Sequence, residues 1–260
     1  MLPESVHREL AALPWLDTDF ELIPVRAGAI NQNFRLNSQG QSYFLKCFAE
    51  KGPSKLDRAA LFQLQTRLAD NGFAPRPLYL GKDNQFSLEQ WINVEDLSQS
   101  QLSSRARIHV LATRLAHIHN LPIQCAPLEL IADWKGYLRQ LGRADSQTLS
   151  EVQKLSEIWQ QRPKLTFCHH DLSMGHVCLS SEKMTLDWEY AAQSDPVFDL
   201  ASCALVNGLS RVESEHLCRD YAVQRDLAAE TVMADFELMM PLAELTSRLW
   251  YQVAQQQWRA

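Results

Sequence analysis

Residues 167–201 read FCHHDLSMGHVCLSSEKMTLDWEYAAQSDPVFDLA, and the rest of the chain is read outward from this stretch. Two short apolar runs are each broken by a polar cluster that packing alone would not select. The first cluster is His169, His170 and Asp171, with His176 downstream; the second is Asp187, Trp188 and Glu189. Asp195 and Asp199 follow around Pro196. Segments 165–168, 177–179 and 184–186 have the composition of short strands, and Ser-Ser-Glu-Lys at 180–183 reads as a turn. A hairpin of this kind sets Asp171 on the loop before it and Asp187 at its end, so the two carboxylates converge. One acid beside a hydroxyl and one on a divalent metal is what phosphoryl transfer uses. A solvated acidic loop on a helical protein is the plain alternative.

The order and spacing of these parts resemble the aminoglycoside phosphotransferase and choline kinase group of protein-kinase-like small-molecule kinases. That group reads His-x-Asp, four residues, Asn, then a hydrophobic strand closing in Asp-Trp/Tyr-Glu-Tyr-Ala, then Asp-Pro and Asp-Leu-Ala. Here the same order is His169-His170-Asp171, His176, Asp187-Trp188-Glu189-Tyr190-Ala191, Asp195-Pro196 and Asp199-Leu200-Ala201. The resemblance implies an α+β, two-lobed kinase-like fold: an antiparallel N-lobe over 1–92 and a mainly helical C-lobe over 93–260. It also implies ATP as donor, Mg²⁺ as metal and a small-molecule acceptor.

Residue roles follow from the resemblance alone. Asp171 would receive or orient the acceptor hydroxyl proton, and His169 would hold its loop. Asp187 would bind the metal, Asp199 would brace the loop through backbone N–H groups, and Trp188, Glu189 and Tyr190 would lie beside the acceptor. An acid among aromatic faces suits a cationic alcohol. Bacterial choline, ethanolamine and thiamine kinases are the nearest in appearance, with aminoglycosides a less fitting class; choline and thiamine stay equally open. His176 departs from the group, which has a metal-binding asparagine there. Imidazole favours Mn, Zn or Ni over Mg, so Mn²⁺ joins Mg²⁺ as a candidate.

Upstream, a helix is expected over 4–13, ended by Pro14, then strands over 20–25, 33–36 and 41–48 with a turn at 37–40. The hairpin from Gly28 through Asn31 to Leu36 resembles the phosphate-covering loop of choline-kinase-like members, although one glycine by itself marks only an ordinary hairpin. Lys46 lies inside the apolar run Tyr43-Phe44-Leu45-Lys46-Cys47-Phe48. A buried ammonium needs an anion, and by resemblance that anion is the α- and β-phosphates of ATP; an edge-strand lysine is the alternative. A helix follows from a capping-type start at Ser54-Lys55-Leu56-Asp57. The group's helix glutamate is missing, because Ala59 follows Arg58, so the acid is absent or moved to Asp57. With His176, this keeps open a nucleotide-binding pseudokinase without transfer. Strands over 74–80 and 85–91 then lead to Glu89, Gln90 and Trp91, which resemble the hinge that meets adenine.

Beyond 92 the pattern is helical: 102–119, 131–141, 149–161, 200–209, 213–224 and 228–257, the last carrying Pro241 as a kink or split. The chain has 260 residues, 46% of them hydrophobic, enough for a sizeable core. A net charge of −6 argues against nucleic-acid binding. No apolar run reaches the roughly 20 residues of a membrane span, and no secretory signal is recognisable at the start. The six cysteines have no paired spacing and read as free thiols in the cytoplasm. Cys168 beside the histidines lacks a second ligand pair for zinc. Monomer and homodimer are both compatible with this reading.

Overall fold

A computed structural model describes residues 2–25, 30–50, 52–93, 95–142, 144–181 and 183–258. The chain divides into two compact units, Met1–Asn93 and Val94–Ala260.

The first unit is built on a five-stranded antiparallel sheet. Its strands are β1 (Glu21–Val25), β2 (Gln32–Ser38), β3 (Gln41–Cys47), β4 (Pro77–Leu80) and β5 (Phe86–Gln90), in the order β1-β2-β3-β5-β4. Gln39 and Gly40, both at positive φ, make the tight turn that joins β2 to β3. Alternation along the strands then sorts the faces. Leu36, Leu45 and Leu88 are fully buried in one cluster with Val6 and Leu10 of helix α1 (Glu4–Ala11). Lys46 follows Leu45 and therefore projects from the opposite face, opposite Asn33 on β2 and Ser87 on β5.

Helix α2 (Arg58–Asp70) starts later than the sequence suggested. Its N-cap is Asp57, whose carboxylate accepts from Ala60 N at 3.0 Å. Ser54 and Leu56 precede the helix, and the buried side is made by Leu64 and Leu68. An aspartate that satisfies an orphan N–H fixes the start of the helix at its own position.

The second unit contains α3 (Ser104–His119), α4 (Leu130–Leu141), α5 (Ser146–Gln160), α6 (Pro196–Val206), α7 (Arg211–Gln224) and α8 (Ala229–Trp258). Helix α6 begins earlier than its apolar pattern indicated, because Asp195 caps it and Pro196 occupies the first helical position. Ser210 and Glu213 form a reciprocal capping box at the start of α7. Pro241 does not split α8, which runs as one helix through it. Met239, Leu242 and Leu245 on either side are wholly buried, so packing outweighs the one lost hydrogen bond.

The hairpin expected over 177–186 is reduced to a single antiparallel bridge, Val177 to Thr185. Strand β6 (Thr166–Cys168) pairs instead with β7 (Ala192–Ser194), a strand with no β-like composition. Arg114 explains the difference. Its buried guanidinium donates to the carbonyls of Cys178, Ser181 and Met184 and to the Thr185 hydroxyl. Two backbone bonds, Cys178 N to the Met184 carbonyl and Leu186 N to the His176 carbonyl, flank the bridge, while the Ser181 carbonyl at the turn is taken by the arginine. No described helix is long and apolar enough to cross a membrane, and all six cysteines are free thiols.

Candidate active site

Strand β6 ends at Cys168 and delivers the chain into a loop whose shape is set from below. Asp199, in the first turn of α6, accepts the N–H of His169 at 2.8 Å and of His170 at 2.7 Å. The same carboxylate accepts from His119 Nε2 at 3.0 Å, and His119 Nδ1 in turn meets the Tyr221 hydroxyl at 2.7 Å. Burial by itself would raise the Asp199 carboxyl; the hydrogen bond from His119 and the surrounding imidazoles hold it well below the usual range. Two backbone amides clamped this way let His170 take a left-handed conformation, φ +66°, and throw Asp171 to the tip of the loop.

The two imidazoles nearest Asp171 are fixed differently. His169 is fully buried, and that burial, with the His176 ring beside it, pushes its pKa down to about 4. Its Nδ1 accepts from Asp171 N at 3.2 Å and its Nε2 donates to the Leu186 carbonyl at 3.0 Å. Both nitrogens are therefore used. His176 turns Nδ1 toward the Asp171 carbonyl at 2.8 Å, which makes Nδ1 the protonated nitrogen. Its Nε2 is the nitrogen left to meet a cation, 3.9 Å from Asp187 Oδ2.

Asp171, His176 and Asp187 offer ligand atoms that all lie within 4.8 Å of one another. Carboxylate oxygens and one imidazole nitrogen at that spacing fit a divalent cation. A second group, His119, Cys168 and Asp199, is equally close but fully buried, with both His119 nitrogens already bonded. It does not fit one.

Two residues that the sequence did not single out hold this loop. Asn207, at the end of α6, donates to the carbonyls of Leu172 at 2.9 Å and Cys203 at 2.8 Å. Its own carbonyl oxygen accepts from Met174 N at 2.7 Å. Arg114 holds the return segment that ends at Asp187, as described above. Neither announces itself, since a helix-end asparagine and a helical arginine ordinarily face water.

Trp188, expected beside the acceptor, is a packing residue. It is 3% exposed, stacks on Phe167 and leans on His169, and its Nε1 donates to the Thr185 carbonyl at 2.9 Å. An aromatic flanked by two carboxylates satisfies its N–H locally and buries its ring. Tyr190, two residues on, is half-buried and keeps its hydroxyl near the acids. Trp250 of α8 donates to its hydroxyl at 3.1 Å, and Tyr251 sits edge-on against Trp250. Burial raises the Tyr190 phenol, and the negative charges of Glu189 and Asp171 and the Tyr137 phenol of α4 add to the rise. Tyr190, Trp250, Tyr137 and Glu189 thus form an aromatic and acidic neighbourhood next to Asp171.

In the first unit, Lys46 is buried on the sheet face described above. Glu89 shares that face and accepts from Gln65 Nε2 of α2 at 2.7 Å. Asp57 is the helix cap, not a displaced partner for the lysine, and Asp70, the acid at the other end of α2, pairs with Arg76 at 2.6 Å. Asn31 accepts from Ala49 N at 3.2 Å. The Gln90 N–H is committed to the Arg76 carbonyl, whereas the Trp91 ring lies under the Arg35 guanidinium. Gly28 falls outside the described residues.

Comparison with known proteins bears on the fold and the family. Protein LicA of Haemophilus influenzae is 24% identical over 208 residues, which is 76% of this chain and 61% of LicA. The chain thus spans about three fifths of that relative's length. The crystal structure of a choline/ethanolamine kinase family protein from Mesorhizobium loti superposes with a TM-score of 0.74 at 18% identity, covering 99% of this chain and 87% of that one. A structure of LicA in complex with AMP gives 0.76 at 18%, covering 97% and 90%. These likenesses establish the two-lobed, protein-kinase-like α+β fold. The profile of the APH phosphotransferase enzyme family matches residues 21–236, and the chain belongs to that family.

Proposed function

We propose that this protein is an ATP-dependent kinase that moves the γ-phosphate to the primary hydroxyl of a small cationic alcohol, choline-like or thiamine-like. One observation carries the reading: Asp171, His176 and Asp187 bring ligand atoms within 4.8 Å of one another, and the charges of Asp171 and Glu189 both reach Tyr190, whose hydroxyl Trp250 holds. Family membership and the AMP in a structural neighbour's crystal support the nucleotide half.

Asp171 orients the acceptor hydroxyl and receives its proton late, so it needs no raised pKa. His169, kept neutral by burial, fixes the Asp171 backbone without competing for that proton. Asp187 and His176 hold the divalent cation, Mg²⁺ or Mn²⁺. When bound, that cation neutralises charge on the β- and γ-phosphates. Lys46 holds the α- and β-phosphates, and the backbone from Glu89 to Trp91 meets the adenine. Glu189 and the aromatic faces of Tyr190 and Trp250 bind the cationic end of the acceptor. Free thiols and the use of ATP support the cytoplasm as the compartment of the reaction.

Choline, ethanolamine, thiamine and kanamycin should be compared as acceptors, with Mg²⁺ and with Mn²⁺, by ADP release. One of the first three is expected to turn over, and Asp171→Asn to cut that turnover at least ~100-fold with ATP affinity nearly unchanged. Turnover of kanamycin alone would overturn the substrate class. The Asp57 cap and the missing α2 glutamate favour a second reading, a nucleotide-binding protein without transfer. ATP binding by calorimetry with no ADP release on any acceptor would favour it.

A further inference from the structure

The family pattern has an asparagine oxygen where this chain has His176, and the geometry makes that exchange chemically consequential. His176 donates Nδ1–H to the Asp171 carbonyl, which fixes the ring's tautomer and orientation. Metal-binding histidines are commonly set by such a hydrogen bond from the other ring nitrogen. The remaining lone pair, on Nε2, faces the Asp187 carboxylate across 3.9 Å, close to the spacing of two ligands on one ion. His169, the imidazole stacked against this ring, has both nitrogens bonded and offers no lone pair. The protein's donor set around the cation is therefore the Asp187 carboxylate and one imidazole nitrogen.

We propose that Nε2 of His176 is itself a metal ligand and that it turns this site from Mg²⁺ toward Mn²⁺. The inference rests on the kinase reading for the nucleotide but concerns only the metal. Mg²⁺ demands near-octahedral oxygen and gives up water reluctantly, so an imidazole in its coordination sphere is a poor exchange for an amide oxygen. Mn²⁺ accepts carboxylate oxygen and imidazole nitrogen together and stands at the first step of the transition series, where nitrogen donors begin to raise affinity. The hydrogen bond from Nδ1 to the Asp171 carbonyl couples the ligand to the loop that carries the acceptor-facing acid. Occupying the metal position thus also sets the Asp171 backbone.

The test is electron paramagnetic resonance of Mn²⁺ added to the full-length protein, alone and with β,γ-methylene ATP, an analogue that brings no nitrogen to the phosphates. The bound Mn²⁺ is expected to show ¹⁴N modulation in its pulsed spectrum. Labelling the histidines with ¹⁵N should convert that modulation without any change of sequence, which covers the case where a variant fails to fold. His176→Asn should abolish it. The Mg²⁺ concentration needed to displace half the Mn²⁺ should fall ~10-fold or more in that variant. A Mn²⁺ spectrum without nitrogen coupling, or the same Mg²⁺ competition in both proteins, would overturn the proposal. Phosphoryl transfer with Mg²⁺ in that event leaves the kinase reading standing.

Discussion

Asp199 and His119 meet in the core of the second unit, Oδ2 to Nε2 at 3.0 Å, with both side chains wholly buried. The carboxylate also carries the two backbone amides that shape the loop before Asp171. Asp199→Ala strands three donors without water. It is expected to cost about 3–5 kcal/mol, the range for breaking a buried charged pair, measured as the shift of the urea unfolding transition. A loss under ~1 kcal/mol would mean that the loop is held by something other than this carboxylate.

Asn207 tests whether loop geometry can be separated from stability. Its side chain bridges Leu172, Met174 and Cys203 within one turn of the helix end. Asn207→Ala frees the backbone on the C-terminal side of Asp171 but opens no large cavity. Small displacements of a reacting group cost about 10- to 100-fold in rate. We expect kcat to fall by that order, KM for ATP to move less than twofold and the melting temperature to change little. A kcat within twofold of the parent would remove Asn207 from the account.

The legible parts of this chain were those where chemistry and periodicity speak within a few residues. Lys46 stood out because an ammonium interrupts an apolar alternation, and Asp171 and Asp187 because acids at strand ends serve no packing purpose. The parts that escaped depend on partners far along the chain. Arg114 sits in RARIHVLATRLAH, where a helical arginine reads as solvent-facing; its burial comes from carbonyls 64 to 70 residues away. The family resemblance put Trp188 beside the acceptor, yet its own ring found Phe167. Strand β7, Ala-Gln-Ser, forms because β6 supplies an unpaired edge, and nothing in three such residues marks a strand.

Asp133 on α4 gives the protein a specific pH dependence. Burial first, and Glu129 beside it second, push its carboxyl up to about 6. In the unfolded chain the same group titrates near 4. Between those values the unfolded state has released its proton and the folded state has not, so stability falls as pH rises through this window. The cost is complete above pH 6 and absent below 4. Asp133→Asn removes the titration. It should gain ~1–2 kcal/mol at pH 7.5, allowing for partial solvent screening, and almost nothing at pH 4. Equal gains at both pH values would show that the effect is packing and not charge.

Trp250 separates recognition of a cation from recognition of a shape. Its Nε1 anchors the Tyr190 hydroxyl at 3.1 Å, so one substitution removes an aromatic face and loosens a second. Choline and 3,3-dimethylbutanol have nearly the same volume and the same primary hydroxyl, but only choline carries charge. A cation over an aromatic face is worth about 0.5–2 kcal/mol, more when water is excluded. Trp250→Ala should therefore raise KM for choline about 3- to 30-fold. For the neutral isostere the change should stay within about twofold, and kcat with choline should hold within a similar factor, because the hydroxyl is oriented by Asp171 and not by the ring. Trp250→Phe keeps a face and should recover most of the choline affinity. Equal losses with both alcohols would mean that Trp250 supplies volume alone, and the cationic end of the acceptor would have to be sought at Glu189 without its aromatic neighbours.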